Sequence, residues 1–252
     1  MTQETFSGRE VLITGGTKGL GLALVHQLID HGCRVTVLAR HLEPLNDLLQ
    51  AHQNSLRAIS ADIGDRKSVA AALAEVDAID TLILNAGTCE YLTPGQVNAE
   101  ACERVIDVNV LGAANVLESS LDKLAVSTRA PQVVGISSLV TEMPLSRAEV
   151  YGASKAALDY FLESLRVDVY HKGIDVTVIK PGFIKTPLTD KNDFPMPFLM
   201  SAEQAASAVM KAIVQRRYLY KFPWQLAFSL RLGSLLPTGL QVKLLQKMVK
   251  RG

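Results

Sequence analysis

A tyrosine and a lysine four residues apart form the pair of side chains with the clearest capacity for chemistry. In the segment Tyr151-Gly-Ala-Ser-Lys155, a helix would place a phenol and an ammonium on one face. A free tyrosine has a pKa of about 10, and a neighbouring cation stabilises the phenolate and lowers that pKa. Tyr151 is therefore a candidate general acid or base, with Lys155 as its activator. Such pairs also occur on ordinary polar helix faces, so the spacing alone leaves both interpretations open.

A serine that precedes this pair in the chain is a candidate partner for it. Ser138 follows the apolar run 133–136, which we predict to be a strand. Its hydroxyl would then reach the same reacting oxygen as Tyr151 and donate a hydrogen bond to it.

A glycine-rich turn near the N-terminus has the composition of a phosphate-binding loop. The segment Thr14-Gly-Gly-Thr-Lys-Gly-Leu-Gly21 directly follows the short apolar run 11–14. Gly15, Gly19 and Gly21 permit a tight turn and close backbone approach, so a pyrophosphate can sit on the amides of the following helix. An ordinary strand-to-helix turn is the alternative.

The second predicted strand ends in an arginine where an acidic residue would select NAD. A carboxylate at this position binds both ribose hydroxyls, and here the residue is Arg40. Arg40 can form bidentate bonds with a 2′-phosphate, and Lys18 in the glycine turn can add a second positive charge. We therefore predict NADP as the cofactor. The alternative is that both residues are solvated surface cations.

Placing these residues together requires a parallel sheet covered by helices. Short apolar runs predict strands, and apolar residues at helical spacing lie between them. Strands that alternate with helices imply right-handed crossovers, so the fold class is α/β, a doubly wound parallel sheet of the Rossmann type in a single domain. The predicted strands are 11–14, 35–39, 56–60, 81–84, 133–136 and 176–179, and the predicted helices are 20–29, 69–76, 101–127, 152–172 and 201–216.

Further polar residues follow the third and fourth predicted strands. Asp62 comes after the third strand, and Asn85-Ala86-Gly87 comes after the fourth. Open α/β sheets bind ligands at the carboxyl ends of their strands, so these residues are candidate ligand contacts. Each could equally be a helix cap or a turn former.

Taken in order, these motifs resemble the short-chain dehydrogenase/reductase family in its shorter, single-domain branch. The resemblance extends from Leu12 to Thr186. It rests on Thr14-Gly-x-x-x-Gly-x-Gly21, Asp62, Asn85-Ala-Gly87, Asn109, Ser138, Tyr151-x-x-x-Lys155 and Pro181-Gly-x-x-x-Thr186. The sequence departs from the family at Glu142, which we expect beside the substrate entrance in place of a small residue.

The resemblance implies a role for each matching position. Tyr151 would exchange a proton with the substrate oxygen, Ser138 would polarise that oxygen, and Lys155 would lower the tyrosine pKa and bind the nicotinamide ribose. Asn109 would anchor a water that leads protons to the lysine. The implied catalytic residues are thus Asn109, Ser138, Tyr151 and Lys155; the implied cofactor contacts are Gly15, Thr17, Lys18, Gly19, Leu20, Gly21, Arg40, Asp62, Ile63, Asn85, Ala86, Gly87, Tyr151, Lys155, Pro181, Gly182, Ile184 and Thr186.

The residues after the family motifs divide into a loop and a basic, apolar tail. We predict a core over 8–187, a substrate loop over 188–200 and a helical extension over 201–252. The loop is rich in proline and carries Phe194, Met196, Phe198 and Leu199, which favour a large apolar substrate such as a lipid-like, polyketide or steroid-like carbonyl. In the tail, one predicted helix face carries Leu240, Leu244, Leu245, Met248 and Val249, and the other carries Lys243, Lys247, Lys250 and Arg251.

Such a basic amphipathic tail has two interpretations. It can lie on an anionic membrane surface, or it can cover the substrate cleft or form a subunit contact with its lysines in water. The chain contains 26 lysines and arginines against 25 acidic residues, so net charge gives no reason to expect nucleic acid as a partner.

We expect a cytoplasmic protein, with a peripheral position at the membrane surface as the alternative. The N-terminus lacks signal-peptide order, and no apolar run approaches the roughly 20 residues of a spanning helix. The three cysteines lack paired or metal-type spacing, so we expect reduced thiols and no metal. The resemblance further implies a homodimer or homotetramer.

The leading functional prediction is an NADP(H)-dependent oxidoreductase that transfers a hydride between nicotinamide and a carbonyl or an alcohol. A ketone or aldehyde reductase that acts on an apolar substrate is the form we expect. Two alternatives are a membrane-docked reductase of lipids and a non-catalytic NADP-binding regulator. The complete set of four catalytic candidates argues against the regulator, because sensing requires no proton donor.

Overall fold

The protein forms one parallel sheet of seven strands with helices on both faces. The computed structural model describes residues 6–190 and 192–249, and for residues 248 and 249 it describes the backbone alone. The predictions for Lys250, Arg251 and the side chains of Met248 and Val249 therefore lie outside the described residues. The strands are β1 (Glu10–Thr14), β2 (Arg34–Ala39), β3 (Leu56–Ser60), β4 (Thr81–Leu84), β5 (Gln132–Ile136), β6 (Asp175–Pro181) and β7 (Leu219–Phe222).

The strand order is β3-β2-β1-β4-β5-β6-β7, and all neighbouring pairs are parallel. β4 and β5 are buried along their whole length and β1 after its first residue, because helices cover the sheet on both sides. The chain begins at β1 and winds outward first to one side and then, from β4, to the other. The switch point between β1 and β4 opens a crevice at the carboxyl ends of these strands.

Two helical layers enclose the sheet. On one face α1 and α7 pack together against the sheet from β2 to β6, and on the other face α3, α5 and α6 cover the opposite side of the same strands. The helices are α1 (Gly19–Asp30), α2 (Asn46–Ala51), α3 (Arg66–Ala74), α4 (Ala99–Ile106), α5 (Gly112–Ala125), α6 (Glu149–Val169), α7 (Ala202–Val214), α8 (Trp224–Ser234) and α9 (Thr238–Val249).

The six predicted strands are all present, and the doubly wound fold is confirmed. The helix predicted over 101–127 is interrupted by a π-helical segment, Asp107–Leu111, between α4 and α5. The helix after residue 201 starts with a reciprocal capping box, in which Ser201 Oγ accepts from Gln204 N and Gln204 Oε1 accepts from Ser201 N.

The seventh strand was not predicted, and it changes the interpretation of the C-terminal part. β7 pairs with β6, and α7 covers the sheet beside α1. Both elements therefore belong to the body of the fold, and only α8 and α9 extend beyond it.

Candidate active site

Three of the predicted catalytic side chains meet at the carboxyl end of β5. Helix α6 starts at Glu149, so Tyr151 and Lys155 lie in its first turns on one face. Ser138 follows β5 and caps a 3-10 turn, Leu139–Glu142, by accepting a hydrogen bond from Val140 N at 3.1 Å. The Ser138 hydroxyl lies near the phenol of Tyr151 and acts to lower its pKa.

The lysine of this group is held inside the protein. Lys155 is buried, and its Nζ donates to the carbonyl oxygen of Ile136 at 2.8 Å. Burial lowers the pKa of Lys155 to about 8, although the Asp159 carboxylate one turn further along α6 acts in the opposite direction. An ammonium with this pKa can give up a proton close to neutral pH.

The tyrosine does not have the lowered pKa that we expected from its spacing to the lysine. Burial raises the pKa of Tyr151 above its ordinary value, and the nearby Cys89 thiol adds to the increase, while the nearby Ser138 hydroxyl opposes it. The physical reason is that the lysine is itself buried and directs its Nζ at the backbone of β5. The Tyr151 phenol therefore stays protonated at neutral pH.

The fourth catalytic candidate lies in the π-helical segment. Asn109 is buried, and its Nδ2 donates to Thr88 O and to Ser154 Oγ, each at 2.9 Å, while its Oδ1 accepts from Thr88 N at 2.8 Å. A π-helical turn leaves the regular helix ladder, and such turns are common at functional sites. The Asn109 side chain therefore braces the loop after β4 against α6.

The glycine turn after β1 has the backbone that a phosphate cradle requires. Gly15 and Gly19 have φ values of +71° and +55°, a region that favours glycine. Helix α1 begins without a side-chain cap at Lys18 and without an acidic residue in its first turn. Its first amides are thus free for an anion. A Cβ on Gly21 would stand 2.1 Å from Gly15 O, so the turn and helix pack too closely for any other residue.

The residues after β4 line the same crevice. Asn85 Nδ2 donates to Thr14 O and Gly15 O at 3.0 and 2.9 Å, so this side chain ties β4 to the glycine turn. Ala86 packs on Gly15, and a Cβ on Gly87 would lie 3.2 Å from Asn109 Oδ1 and 3.3 Å from Lys155 Nζ. The backbone at Gly87 therefore connects the glycine turn with the catalytic group.

The residues predicted to contact the adenosine end lie at the ends of β2 and β3. Arg40 and Asp62 are both exposed and face each other at 3.8 Å. Lys18 is exposed, and Thr17 is half-buried beside it. The side chain of Ile63 is buried against Gly112, so only its backbone can face a nucleotide.

The segment after β6 reaches back to the glycine turn. Thr186 Cγ2 would stand 3.0 Å from a Cβ on Gly19, and Gly182 N donates to Phe222 O of β7 at 2.7 Å. Ile184 is buried and forms an isolated bridge with Met200. The structure thus brings the four predicted segments, after β1, β4, β5 and β6, to one edge of the sheet.

Glu142, which the sequence predicts beside the substrate entrance, has a carboxylate that is withdrawn from solvent. It is buried in an ion-pair cluster, in which Lys180 Nζ lies 3.2 Å and Lys221 Nζ lies 2.6 Å from its two carboxylate oxygens. Lys180 also contacts Asp159 Oδ2 at 2.7 Å. Burial tends to raise the pKa of Glu142, but the two lysines outweigh it and hold that pKa below its ordinary range. Sequence reasoning missed the cluster, because its members are far apart in the chain.

Tyr91, Phe183 and Phe194 form an aromatic cluster near the catalytic group, which we call the aromatic mouth. The ring of Phe194 makes edge contacts with Tyr91 and Phe183, with centroids at 5.3 and 6.1 Å. The loop 188–200 is fixed at this point by Arg147, whose guanidinium lies over the Tyr91 ring and 2.6 Å from Asp193 Oδ1.

Two residues at this mouth were not predicted. Cys89 and Tyr91 lie close together, and burial raises the pKa of the Cys89 thiol to about 11. Their position directly after Asn85-Ala-Gly87 is the signal that would have found them.

Two groups of features are absent from the described part of the chain. Between residues 6 and 249, apart from residue 191, no cluster of histidine, cysteine and acidic residues has the arrangement of a metal site. Across those same residues, no helix combines the length and the apolarity needed to cross a membrane.

The chain is similar in sequence to a dehydrogenase family and to proteins named as oxidoreductases or reductases. The sequence model of the family described as short chain dehydrogenase matches residues 9–195. The chain is 37% identical over 241 residues to an uncharacterized oxidoreductase of Myxococcus xanthus, covering 93% of this chain and 95% of the relative. It is 32% identical over 209 residues to the 3-dehydrosphinganine reductase TSC10B of Arabidopsis thaliana, covering 81% of this chain and 63% of the relative.

Solved structures share the fold at low sequence identity. A short chain dehydrogenase from Burkholderia cenocepacia, in complex with NADP, superposes with a TM-score of 0.83 at 23% identity and covers 95% of this chain and 98% of its own. A short chain dehydrogenase/reductase from Burkholderia phymatum, in complex with NAD, has a TM-score of 0.81 at 20% identity and covers 92% and 94%.

Proposed function

The chain belongs to the short-chain dehydrogenase family, and we propose that it is an NADP(H)-dependent reductase that interconverts an apolar ketone or aldehyde with its alcohol. The observation that carries this proposal is the meeting of Ser138, Tyr151 and Lys155 at the carboxyl end of β5, next to the crevice at the switch point. Membership of the family makes the protein an oxidoreductase with a nicotinamide cofactor. We also propose a cytoplasmic homodimer or homotetramer.

The side chains divide the work on the substrate oxygen. Tyr151 gives its proton to the carbonyl oxygen, and its raised pKa keeps that proton in place at neutral pH until the oxygen becomes basic. Ser138 donates a hydrogen bond to the same oxygen and stabilises the negative charge that develops there. When bound, the nicotinamide supplies the hydride.

After Tyr151 has donated its proton, Lys155 and Asn109 would help to restore it. Lys155, with a pKa of about 8, is a source of a second proton one turn from Tyr151. The Asn109 amide holds the loop at Thr88 beside Lys155, so it keeps the relay in position.

The nucleotide half of the site fits a dinucleotide. The positive φ values of Gly15 and Gly19 and the uncapped start of α1 suit a pyrophosphate, with Thr17, Leu20 and Gly21 in the same turn. Asn85, Ala86 and Gly87 would line the adenosine ribose, Asp62 and Ile63 the adenine, and Pro181, Gly182, Ile184 and Thr186 the carboxamide.

Choosing NADP over NAD rests on charge at the end of β2. Arg40 stands where an acidic residue would bind two ribose hydroxyls, and Lys18 is exposed in the glycine turn. The two structural neighbours contain one cofactor each, NADP and NAD, so the choice depends on these residues. Arg40 supplies the bidentate donors that a 2′-phosphate requires.

An apolar substrate suits the mouth of the site. Tyr91, Phe183 and Phe194 present aromatic surface near Tyr151, and Glu142 is neutralised within its ion-pair cluster. The Arabidopsis relative is named a 3-dehydrosphinganine reductase, and this name supports the proposal of a carbonyl substrate.

The catalytic assignment is tested by removing one hydroxyl. Tyr151→Phe should reduce turnover of apolar ketones, followed by NADPH absorbance, by about 10²–10⁴-fold, because the proton donor is lost. NADPH affinity by titration calorimetry should stay within about twofold of the wild type. Tyr160→Phe is the matched control, since Tyr160 lies on the same helix and is exposed. Full turnover in Tyr151→Phe would contradict the assignment, and NADPH binding without turnover in the wild type would favour the regulator.

The cofactor assignment is tested by reversing one charge. Arg40→Asp should weaken NADPH binding by roughly 10–100-fold, the value of one charge-assisted contact, and should leave NADH binding unchanged or stronger. Lys172→Asp is the control, because Lys172 is exposed at the opposite edge of the sheet. An unchanged ratio of NADPH to NADH affinity would remove Arg40 from the phosphate site.

A further inference from the structure

Helix α8 has an exposed apolar face that no described residue covers. Trp224, Phe228, Leu232 and Leu235 recur at helical spacing and are 70%, 62%, 58% and 67% exposed. At 1.5 Å per residue this stripe is about 16 Å long. The opposite face of the helix carries Leu226, which is buried in the protein. Large apolar side chains exposed in such a row mark an interaction surface.

Helix α9 follows α8 after a short turn, and it exposes both apolar and basic side chains. Leu240 and Leu244 are exposed one turn apart, and Lys243 and Lys247 lie on the same side of the helix, so the prediction that the leucines and lysines occupy opposite faces is wrong for these four residues. Arg231 on α8 is also exposed. We call the surface formed by α8 and α9 the tail face.

The charge of the tail face has one sign. The sequence contains no acidic residue after Glu203, while Arg231, Lys243 and Lys247 are exposed and make no ion pair with any described residue. By contrast, Lys221 and Arg216 in the same part of the chain are paired with acidic residues of the body. The tail face thus carries three cations that have no acidic partner among the described residues.

We propose that the tail face docks on an anionic lipid bilayer, with α8 in the interfacial region and the basic residues against the headgroups. A second copy of the chain would bring the same cations against them, whereas anionic lipid satisfies both the apolar stripe and the charge. Tryptophan prefers the interface between headgroups and hydrocarbon, and Trp224 stands at the start of the stripe.

Docking would place the mouth of the active site at the lipid surface. The Leu226 side chain of α8 packs against Gly182, where a Cβ would lie 2.8 Å from Leu226 Cδ2. Further along α8, a Cβ on Gly233 would lie 2.9 Å from Met143 Sδ, directly after the turn that begins at Ser138. An apolar substrate dissolved in the bilayer would then enter without crossing water. The docking itself does not depend on the proposed reaction.

Vesicle flotation of the full-length protein tests this proposal. Wild type should float with vesicles that contain phosphatidylserine, remain in solution with phosphatidylcholine alone, and dissociate as salt is raised. The double variant Phe228→Glu/Leu232→Glu should lose at least tenfold in affinity for the acidic vesicles. The control Val97→Glu/Val126→Glu adds the same charge at two exposed positions away from the tail face and should float like wild type.

Three outcomes would overturn the docking surface. These are failure of the wild type to float, equal flotation of the Phe228→Glu/Leu232→Glu variant, and equal binding to neutral vesicles. Sedimentation that shows a dimer in the wild type and a monomer in this variant would assign the face to a second copy instead. Circular dichroism and turnover of a water-soluble carbonyl, measured without vesicles, report folding and the proposed reaction separately.

Discussion

Burial of the charged Lys155 side chain lowers the stability of the folded protein. Its charged form is buried and has the Ile136 carbonyl as hydrogen-bond acceptor, so its pKa falls from 10.5 in the unfolded chain to about 8 in the folded one. Between these two values the unfolded state binds more protons than the folded state. Stability therefore rises with pH across this window, and below pH 8 the full penalty is present.

This penalty predicts that Lys155→Met stabilises the protein at neutral pH while it abolishes turnover. The pKa difference corresponds to about 3 kcal/mol, and the unpaired Ile136 carbonyl offsets about 1 kcal/mol, which leaves a gain of about 2 kcal/mol at pH 7. The gain should disappear as the pH rises towards 10.5. Urea denaturation of both proteins at pH 7 and pH 10 measures it, and the same difference at both pH values would show that the lysine charge is not its source.

At this scale the sequence predicted which residues meet, but not their protonation. Spacing placed Tyr151 beside Lys155, and the structure confirms that they share a helix face. The tyrosine pKa moved in the opposite direction from the prediction, because burial of the phenol outweighs the effect of a lysine that is itself buried. Burial depends on every element around the site, and a local motif contains no information about it.

At the scale of elements, Glu142 links the 3-10 turn that follows Ser138 to the sheet through ion pairs. The ion pairs of this residue with Lys180 on β6 and Lys221 on β7 tie the turn to two strands. We therefore predict that Glu142 positions Ser138 through the turn and not by contact with the substrate.

We predict that replacing the Glu142 carboxylate lowers both the free energy of unfolding and kcat. Glu142→Gln leaves two lysines beside a neutral amide, so we expect destabilisation of about 3 kcal/mol and a fall in kcat of about tenfold, with NADPH affinity preserved. Glu142→Asp should restore part of the kcat, since a carboxylate returns. The control is Glu90→Gln, which breaks the exposed pair with Arg104 and should cost less than about 1 kcal/mol. A Glu142→Gln enzyme with wild-type kcat would refute the positioning role.

Two elements, β7 and the π-helical turn, could not be predicted from the sequence, and each has a physical reason. β7 is a four-residue edge strand directly before a proline, and its side chains are only partly buried, so its apolar pattern is weak. The π-helical turn at Asn109 changes the helix repeat by a single residue, which periodicity over a long helix does not resolve.

For the whole molecule, the order of strands and helices was sufficient to predict the doubly wound sheet. Six buried runs alternating with helices permit few other arrangements, because parallel crossovers are right-handed. Contacts between distant parts of the chain were not predictable in this way. Examples are the approach of Arg40 to Asp62 and the packing of α8 on Gly182, both of which depend on how neighbouring strands and helices finally settle.

Gly182 packs closely between Leu226 of α8 and Leu139 of the turn after Ser138, so the buried face of α8 is in contact with the active-site region. If the tail face binds lipid as proposed and this contact responds to binding, lipid and the ligands of the active site belong to one thermodynamic cycle. Any factor by which a lipid surface tightens nucleotide or substrate binding must be returned as the same factor in lipid affinity when those ligands bind. Residence of the protein at a bilayer would therefore become a readout of its ligand state, and release of product would loosen the protein from the surface that supplied the substrate.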